Sequence, residues 1–281
     1  MMKIVLIGTG SPLPDANRAG PCTLVQAGGQ NLLVDCGRGA LMRLMAAGVL
    51  PPMVSTLLVT HLHSDHITDV NDLVTTRWVM APVHVPLRVI GPPGTRSMID
   101  ALLSMLRLDQ QYRHDHHDDL RAGGELTVNV EEVSPGDSFT IGDIVGTVHE
   151  TDHRPVRPTI GFRLEHDGKS VALAGDTIPC TGLDAMCRDA DAYVQTVIRA
   201  DLVSAVADLM PHGQRFRDIL DYHSTVEQAA QTASRNNVAN LVLTHYVPPM
   251  QPGQEVDWRA KAAEHFAGNV VLGPDLTSLE I

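Results

Sequence analysis

The chain has 281 residues, 43% of them hydrophobic, which suits one large α/β domain over residues 1–281 and offers no low-complexity linker at which to divide it. A formal net charge of −12 argues against a nucleic-acid partner, because such affinity rests largely on Lys and Arg neutralising phosphates. No run is long enough to span a membrane, Met1-Met2-Lys3-Ile4 reads as a strand rather than a signal peptide, and Cys22, Cys36, Cys180 and Cys187 lack paired spacing, so a cytoplasmic chain with reduced thiols is expected.

In chain order, apolar runs predict strands over residues 3–7, 22–27 and 31–35, with a hairpin at Gly28-Gly29. Gly8-Thr9-Gly10 is a structural turn, since no Gly-Lys-Ser/Thr follows to make it a phosphate loop. Helical spacing over 40–45 stops at Gly48 and Pro51-Pro52. The apolar stretch Thr56-Leu57-Leu58-Val59 then runs into Thr60-His61-Leu62-His63-Ser64-Asp65-His66. A strand ending in a tight turn delivers all four ligand-type side chains to one point. His61 and His63 share a face of extended chain, while Asp65 and His66 come where the chain turns into a helix and can face a neighbouring point. That is a geometry for two adjacent metals. Imidazole and carboxylate donors suit Zn first, with Mn and Fe as alternatives.

The next helix is predicted over residues 67–79, carrying Trp78 toward the core or the cleft, and another over 94–108. Arg113-His114-Asp115-His116-His117-Asp118-Asp119 also holds ligand-type side chains, but without apolar strand flanks it reads as a solvated loop or a lid over the cleft. Short strands fill 126–174, followed by a helix near 183–188 and a strand near 192–194. A last marked helix begins at Ser224-Thr225-Val226-Glu227, a capping-box signature with Ser224 as N-cap. This places His223 just outside a helix N-terminus.

The pattern His-x-His-x-Asp-His resembles the metallo-β-lactamase superfamily, and the likeness extends from Met2 to about Gly273. It implies a four-layer αββα sandwich with a dinuclear site at one sheet edge. Three further ligands follow in order: His153 in Thr151-Asp152-His153-Arg154, Asp176 in Ala174-Gly175-Asp176-Thr177, and His245 in Leu243-Thr244-His245-Tyr246. The resemblance is nearer to the ribonuclease Z and arylsulfatase-like branch, through Leu6-Ile7-Gly8-Thr9-Gly10-Ser11-Pro12, Val34-Asp35-Cys36-Gly37, Ile90-Gly91-Pro92-Pro93-Gly94-Thr95, Ile160-Gly161-Phe162-Arg163 and Tyr222-His223-Ser224-Thr225. It implies two divalent metal ions, one on His61, His63 and His153, the other on Asp65, His66 and His245, bridged by Asp176. A metal-bridging hydroxide would attack an ester-type bond, with Asp65 and His223 as the catalytic residues and His223 protonating the leaving oxygen. Arg154 and Arg157 beside His153 are either grips for an anionic ester group or ordinary surface charges.

Two departures shape the functional expectation. The branch's tRNA-gripping arm has no room, because residues 162–170 run almost directly into the strand before Asp176. The His-Glu-Ala-Thr motif, whose glutamate orients the proton donor, is replaced by Gln195-Thr196-Val197-Ile198. With the acidic balance, these features favour hydrolysis of a small ester, anionic or neutral: a phosphodiester, sulfate ester, carboxylic ester or lactone. The alternatives are a ribonuclease Z-like tRNA 3′ endonuclease and, from another class, an iron-dependent persulfide dioxygenase-like oxidoreductase. The branch is often homodimeric.

Overall fold

The structure, a computed structural model, describes residues 1–81 and 83–281. Two seven-stranded sheets carry the architecture. The first contains β1 (Met2–Gly8), β2 (Cys22–Ala27), β3 (Gln30–Val34), β4 (Thr56–Leu58), β5 (Leu87–Gly91) and β6 (Val128–Glu132). The second contains β7 (Ser138–Ile141), β8 (Ile144–Glu150), β9 (Ile160–His166), β10 (Lys169–Leu173), β11 (Ala192–Ile198), β12 (Asn240–Val247) and β13 (Asn269–Val271). The last strand, β14 (Ser278–Glu280), returns to the first sheet, giving the orders β14-β1-β2-β3-β4-β5-β6 and β13-β12-β11-β10-β9-β8-β7. Each sheet is antiparallel on one side and parallel on the other, the parallel pairs being β3 to β6 and β10 to β13.

Period-two alternation explains how both faces of each sheet are buried. In β1, Ile4 and Leu6 point to the space between the sheets, where they join Phe162, Leu164 and Val171. Val5 and Ile7 face the other way, toward Leu41 and Leu44 of α1 (Ala40–Ala46). In β12, Val242 points inward, whereas Leu241 and Leu243 meet helices of the second sheet. Fully burying one such side chain is worth about 1.5–3 kcal/mol, so two covered faces per sheet strongly fix register.

The helices form the outer layers. Beside the first sheet lie α2 (Ser64–Ile67), α3 (Val70–Met80), α4 (Thr95–His116) and α5 (Asp118–Gly123). Beside the second lie α6 (Thr181–Cys187), α9 (Val226–Arg235) and α10 (Glu255–Ala263), while α7 (Ala200–Leu209) and α8 (Gln214–Asp218) pack against each other. Helix, sheet, sheet and helix are the four layers that the resemblance implies. Among the described residues, α7 and α8 contribute to none of the three apolar clusters. No helix among those residues is long and apolar enough to cross a membrane.

Local expectations are corrected at several points. Residues 113–119 are not a loop: they finish α4 and begin α5, with Arg113 paired to Asp109 one turn back at 2.8 Å. His114 packs edge-on against Trp78, 5.5 Å between centroids, and Trp78 itself is in the core. The helix expected over 67–79 is two pieces, α2 and α3. The capping box lies one residue downstream, where Thr225 Oγ1 accepts from the Gln228 N–H and Gln228 Oε1 from the Thr225 N–H. Ser224 is otherwise engaged, donating its hydroxyl and N–H to the Thr177 carbonyl at 2.7 and 2.9 Å. Between β9 and β10 there are only Asp167 and Gly168, both at positive φ, a two-residue hairpin with no arm.

Candidate metal centre and active site

Strands β3, β4 and β10 end at one edge, where the sandwich gathers its polar side chains. Asp35 follows β3 in the left-handed region (φ 58°), and its carboxylate accepts from the Thr60 N–H and Oγ1, both at 2.8 Å. This ties the end of β3 to the turn after β4, from which His61, His63, Asp65 and His66 project. Asp176 comes after β10, preceded by Gly175 at φ 62°. A Cβ on Gly175 would lie 2.6 Å from Thr60 Oγ1, so only glycine lets this turn close against the other sheet.

His245 is delivered by a bulge. Thr196 of β11 faces Thr244 of β12, but Ile198 faces Val247, leaving one extra residue on β12. His245 sits in that irregularity at φ 52°, an uncommon conformation for a side-chain-bearing residue that re-aims its ring toward the edge. His153 follows β8, and His223 precedes the capped α9.

The structure brings all seven sequence-predicted ligand residues together. Their donor atoms form two groups, His61, His63, His153 and Asp176 in one and Asp65, His66 and His245 in the other, each within 4.8 Å internally. Asp176 Oδ2 is the hub. It lies 3.9, 3.4, 3.8, 3.8 and 3.3 Å from the Nε2 atoms of His61, His66, His153, His245 and His223. Three rings are oriented through Nδ1, which leaves Nε2 for the centre: His61 by Thr60 Oγ1 (3.0 Å), His66 by Asp35 Oδ2 (2.7 Å) and His153 by the Tyr222 carbonyl (2.8 Å). Such backing fixes tautomer and aim in metal sites.

Electrostatics divides the groups. Burial pushes His61 well below its ordinary pKa, lowers His63, and takes His153 down to about 4. Burial also opposes charge on His66 and His245. There the carboxylates prevail: Asp176 and Asp35 raise His66 well above its usual value, and Asp176 and Asp65 raise His245. Asp176, despite burial, is held well below the usual carboxylate range by His245 and His66. Buried His61 Nε2, His66 Nε2 and Asp176 Oδ1 have no hydrogen-bond partner. Buried polar atoms are normally paired, so these converging orphans fit a dinuclear metal site.

His223 Nε2 also reaches Asp176, and its Nδ1 is 2.9 Å from the Ile219 carbonyl. His223 is thus oriented by a main-chain oxygen rather than by a glutamate. The residues replacing that motif brace the Asp176 turn instead: Gln195 Nε2 donates to the Gly175 carbonyl at 3.3 Å, and Thr196 Oγ1 to the same oxygen at 2.9 Å. Asp35, Thr60 and the two carbonyls went unassigned from sequence. Asp35 alone left a signal, a carboxylate ending an apolar run.

A cavity of about 450 Å³ opens on the cluster and is lined by His63, Asp65, Asp176, His223 and His245. Arg154 and Arg157 are not on it. They border a separate hollow that includes His153, and the Arg154 side chain, 59% exposed, is paired with Asp152.

The beta-lactamase superfamily domain model matches residues 30–246. The chain belongs to the metallo-β-lactamase superfamily. Within it, the chain is 54% identical over 283 residues to Ribonuclease Z of Mycolicibacterium gilvum, covering 100% of this chain and 96% of that relative. Identity to Ribonuclease Z of Mycobacterium avium is 53% over 283 residues, covering 100% and 99%. Solved structures agree on the fold. The metallo-beta-lactamase fold protein YhfI of Bacillus subtilis superposes with a TM-score of 0.76 at 21% identity, covering 100% and 99%. Human tRNase Z, short form, gives 0.71 at 22%, covering 99% of each chain.

These relatives overturn the expectation of a small-molecule ester substrate. The absent arm carried too much weight, because relatives named Ribonuclease Z align end to end with this chain and have no room for a long extra arm either.

Proposed function

We propose that this protein is a ribonuclease Z-type endonuclease that hydrolyses a phosphodiester at the 3′ side of precursor tRNA, acting in the cytoplasm as a single folded domain. Full-length similarity to proteins named Ribonuclease Z carries the substrate class. The donor set favours two Zn²⁺ ions, held by His61, His63 and His153 and by Asp65, His66 and His245, with Asp176 between them. When bound, such ions act as Lewis acids toward the phosphoryl group and lower the pKa of water to about 7.

The chain's own groups then have distinct tasks. Asp35 and Thr60 keep the His61 and His66 rings aimed. Asp65 holds His245 Nε2 at 3.2 Å and faces the cavity, so it fixes both a ligand and the floor on which the phosphate rests. His223, also on the cavity wall, is placed to give its Nε2 proton to the leaving oxygen. Arg154 and Arg157, across His153, are suited to a neighbouring phosphate.

The test is cleavage of a 3′-extended precursor tRNA by the metal-loaded protein, with product ends mapped and Asp176→Ala as the inactive control. Hydrolysis of bis(nitrophenyl) phosphate with the precursor left intact at low salt would defeat the reading.

A further inference from the structure

The cavity beside His223 has walls that the proposed chemistry does not use. Val203, Val206, Phe216 and Ile219, from α7, α8 and the turn after them, line it together with Leu13 and Pro248. Its floor is the histidine and aspartate cluster. Arg215 is exposed at its rim. A slot whose accessible walls are largely apolar above that polar floor, of roughly the 300–1,000 Å³ that small-ligand sites occupy, suits a flat heterocycle better than a phosphate chain.

We propose that this cavity is a nucleobase subsite, receiving the base of the nucleotide that carries the leaving oxygen. The inference rests on the ribonuclease reading above. Three observations select this occupant. His223 is tied through Nδ1 to the carbonyl of Ile219, one of the apolar lining residues, so a group seated against that wall is on the side of the scissile phosphate where the leaving oxygen is protonated. Phe216 offers a stacking face beside aliphatic side chains, whereas Tyr222, also on the lining, packs against His153 and His223, and every base has a π-face whatever its sequence. The chain has 33 acidic against 21 basic residues, so phosphate neutralisation is a weak source of affinity and short-range stacking must supply more of it. Single-stranded RNA presents unstacked bases for such capture. Arg215 then lies where the adjoining phosphate leaves the slot.

Phe216 is outside the three core clusters, which makes it a usable probe. The experiment measures kcat/KM on a 3′-extended RNA in three forms: intact, abasic at the nucleotide carrying the leaving oxygen, and abasic at the next nucleotide across the scissile bond. For the native protein, the first abasic form should be cut about tenfold less efficiently and the second almost as well as intact RNA. Phe216→Ala should lose about tenfold on intact RNA and nothing further on the first abasic form, while Phe216→Trp should keep the base preference. Metal content and thermal unfolding of each variant establish that it is folded. No base dependence in the native protein, or the same abasic penalty in Phe216→Ala, overturns the subsite alone. Failure of the metal-loaded protein to cut any RNA overturns the ribonuclease reading and the subsite with it.

Discussion

The two halves of the ligand cluster occupy one sheet edge but solve the burial of charge differently. Around His61, His63 and His153, burial keeps the imidazoles neutral, ready to accept a cation. Around Asp65, His66 and His245, carboxylates raise the proton affinity of the imidazoles, so protons compete with an incoming cation there at a higher pH. The same residue types can therefore form one site with weak proton competition and one with stronger competition for metal. Which one results depends on where the carboxylates stand.

The strongest way to break this contrast is at the hub. Asp176→Ala should remove both metals and lower turnover on the order of 10⁴-fold or more, because nothing else brings water's pKa near neutrality. By comparison, His153→Ala and His245→Ala should each cost mainly one metal, on opposite sides. Elemental analysis of the purified variants checks this, and equal loss of both metals from either single-histidine variant would show that the two halves act as one site.

Next in size is His223→Ala, expected to lower turnover by about 10²–10³-fold on RNA with metal content retained. The loss should shrink for nitrophenyl esters, whose leaving groups need no proton. An equal loss on both substrates would make His223 a binding or structural residue. Smaller again is Asp35→Asn, which removes the charge and leaves one acceptor oxygen where two serve the His66 Nδ1 and Thr60 donors; affinity at the Asp65, His66, His245 side should fall about 10–100-fold, as for other residues backing a ligand. Competitive chelator titration measures it, and unchanged affinity would mean that His66 is held by packing alone.

The mildest test is acidity. Raised pKa values on His66 and His245 mean that protons compete for that side at a higher pH, whereas His153, at about 4, stays neutral until much lower. As pH falls from 8 toward 5, metal content after dialysis should drop first from two per chain to one, with the His61, His63, His153 side occupied last. Simultaneous release would contradict the contrast.

The candidate ligands were legible in sequence because ligand-type side chains follow short apolar runs at His61, Asp176 and His245, and strand ends are local features. The sandwich was legible through its motifs and its alternation. Most of what escaped depended on contacts distant in the chain. The bulge that aims His245 is visible only once β11 and β12 are paired. The carbonyl of Ile219 is only four residues from His223 and escaped for another reason, since a main-chain atom leaves no trace in residue identities. Ser224 looked like a helix cap until Thr177, 47 residues away, claimed its hydroxyl. The substrate was misread for a different reason: a missing arm was treated as a missing activity, although proteins can retain the activity's name without the arm.

The ligand residues are divided between the layers: His61, His63, Asp65 and His66 belong to the first sheet's edge, and His153, Asp176 and His245 to the second's. An ion coordinated across that seam cannot bind the unfolded chain in the same way. Free-energy linkage then makes it a clasp between the sheets, adding about 2.7 kcal/mol per ion at a hundredfold excess over Kd. Metal supply would thus govern how long the fold persists as well as how fast it works.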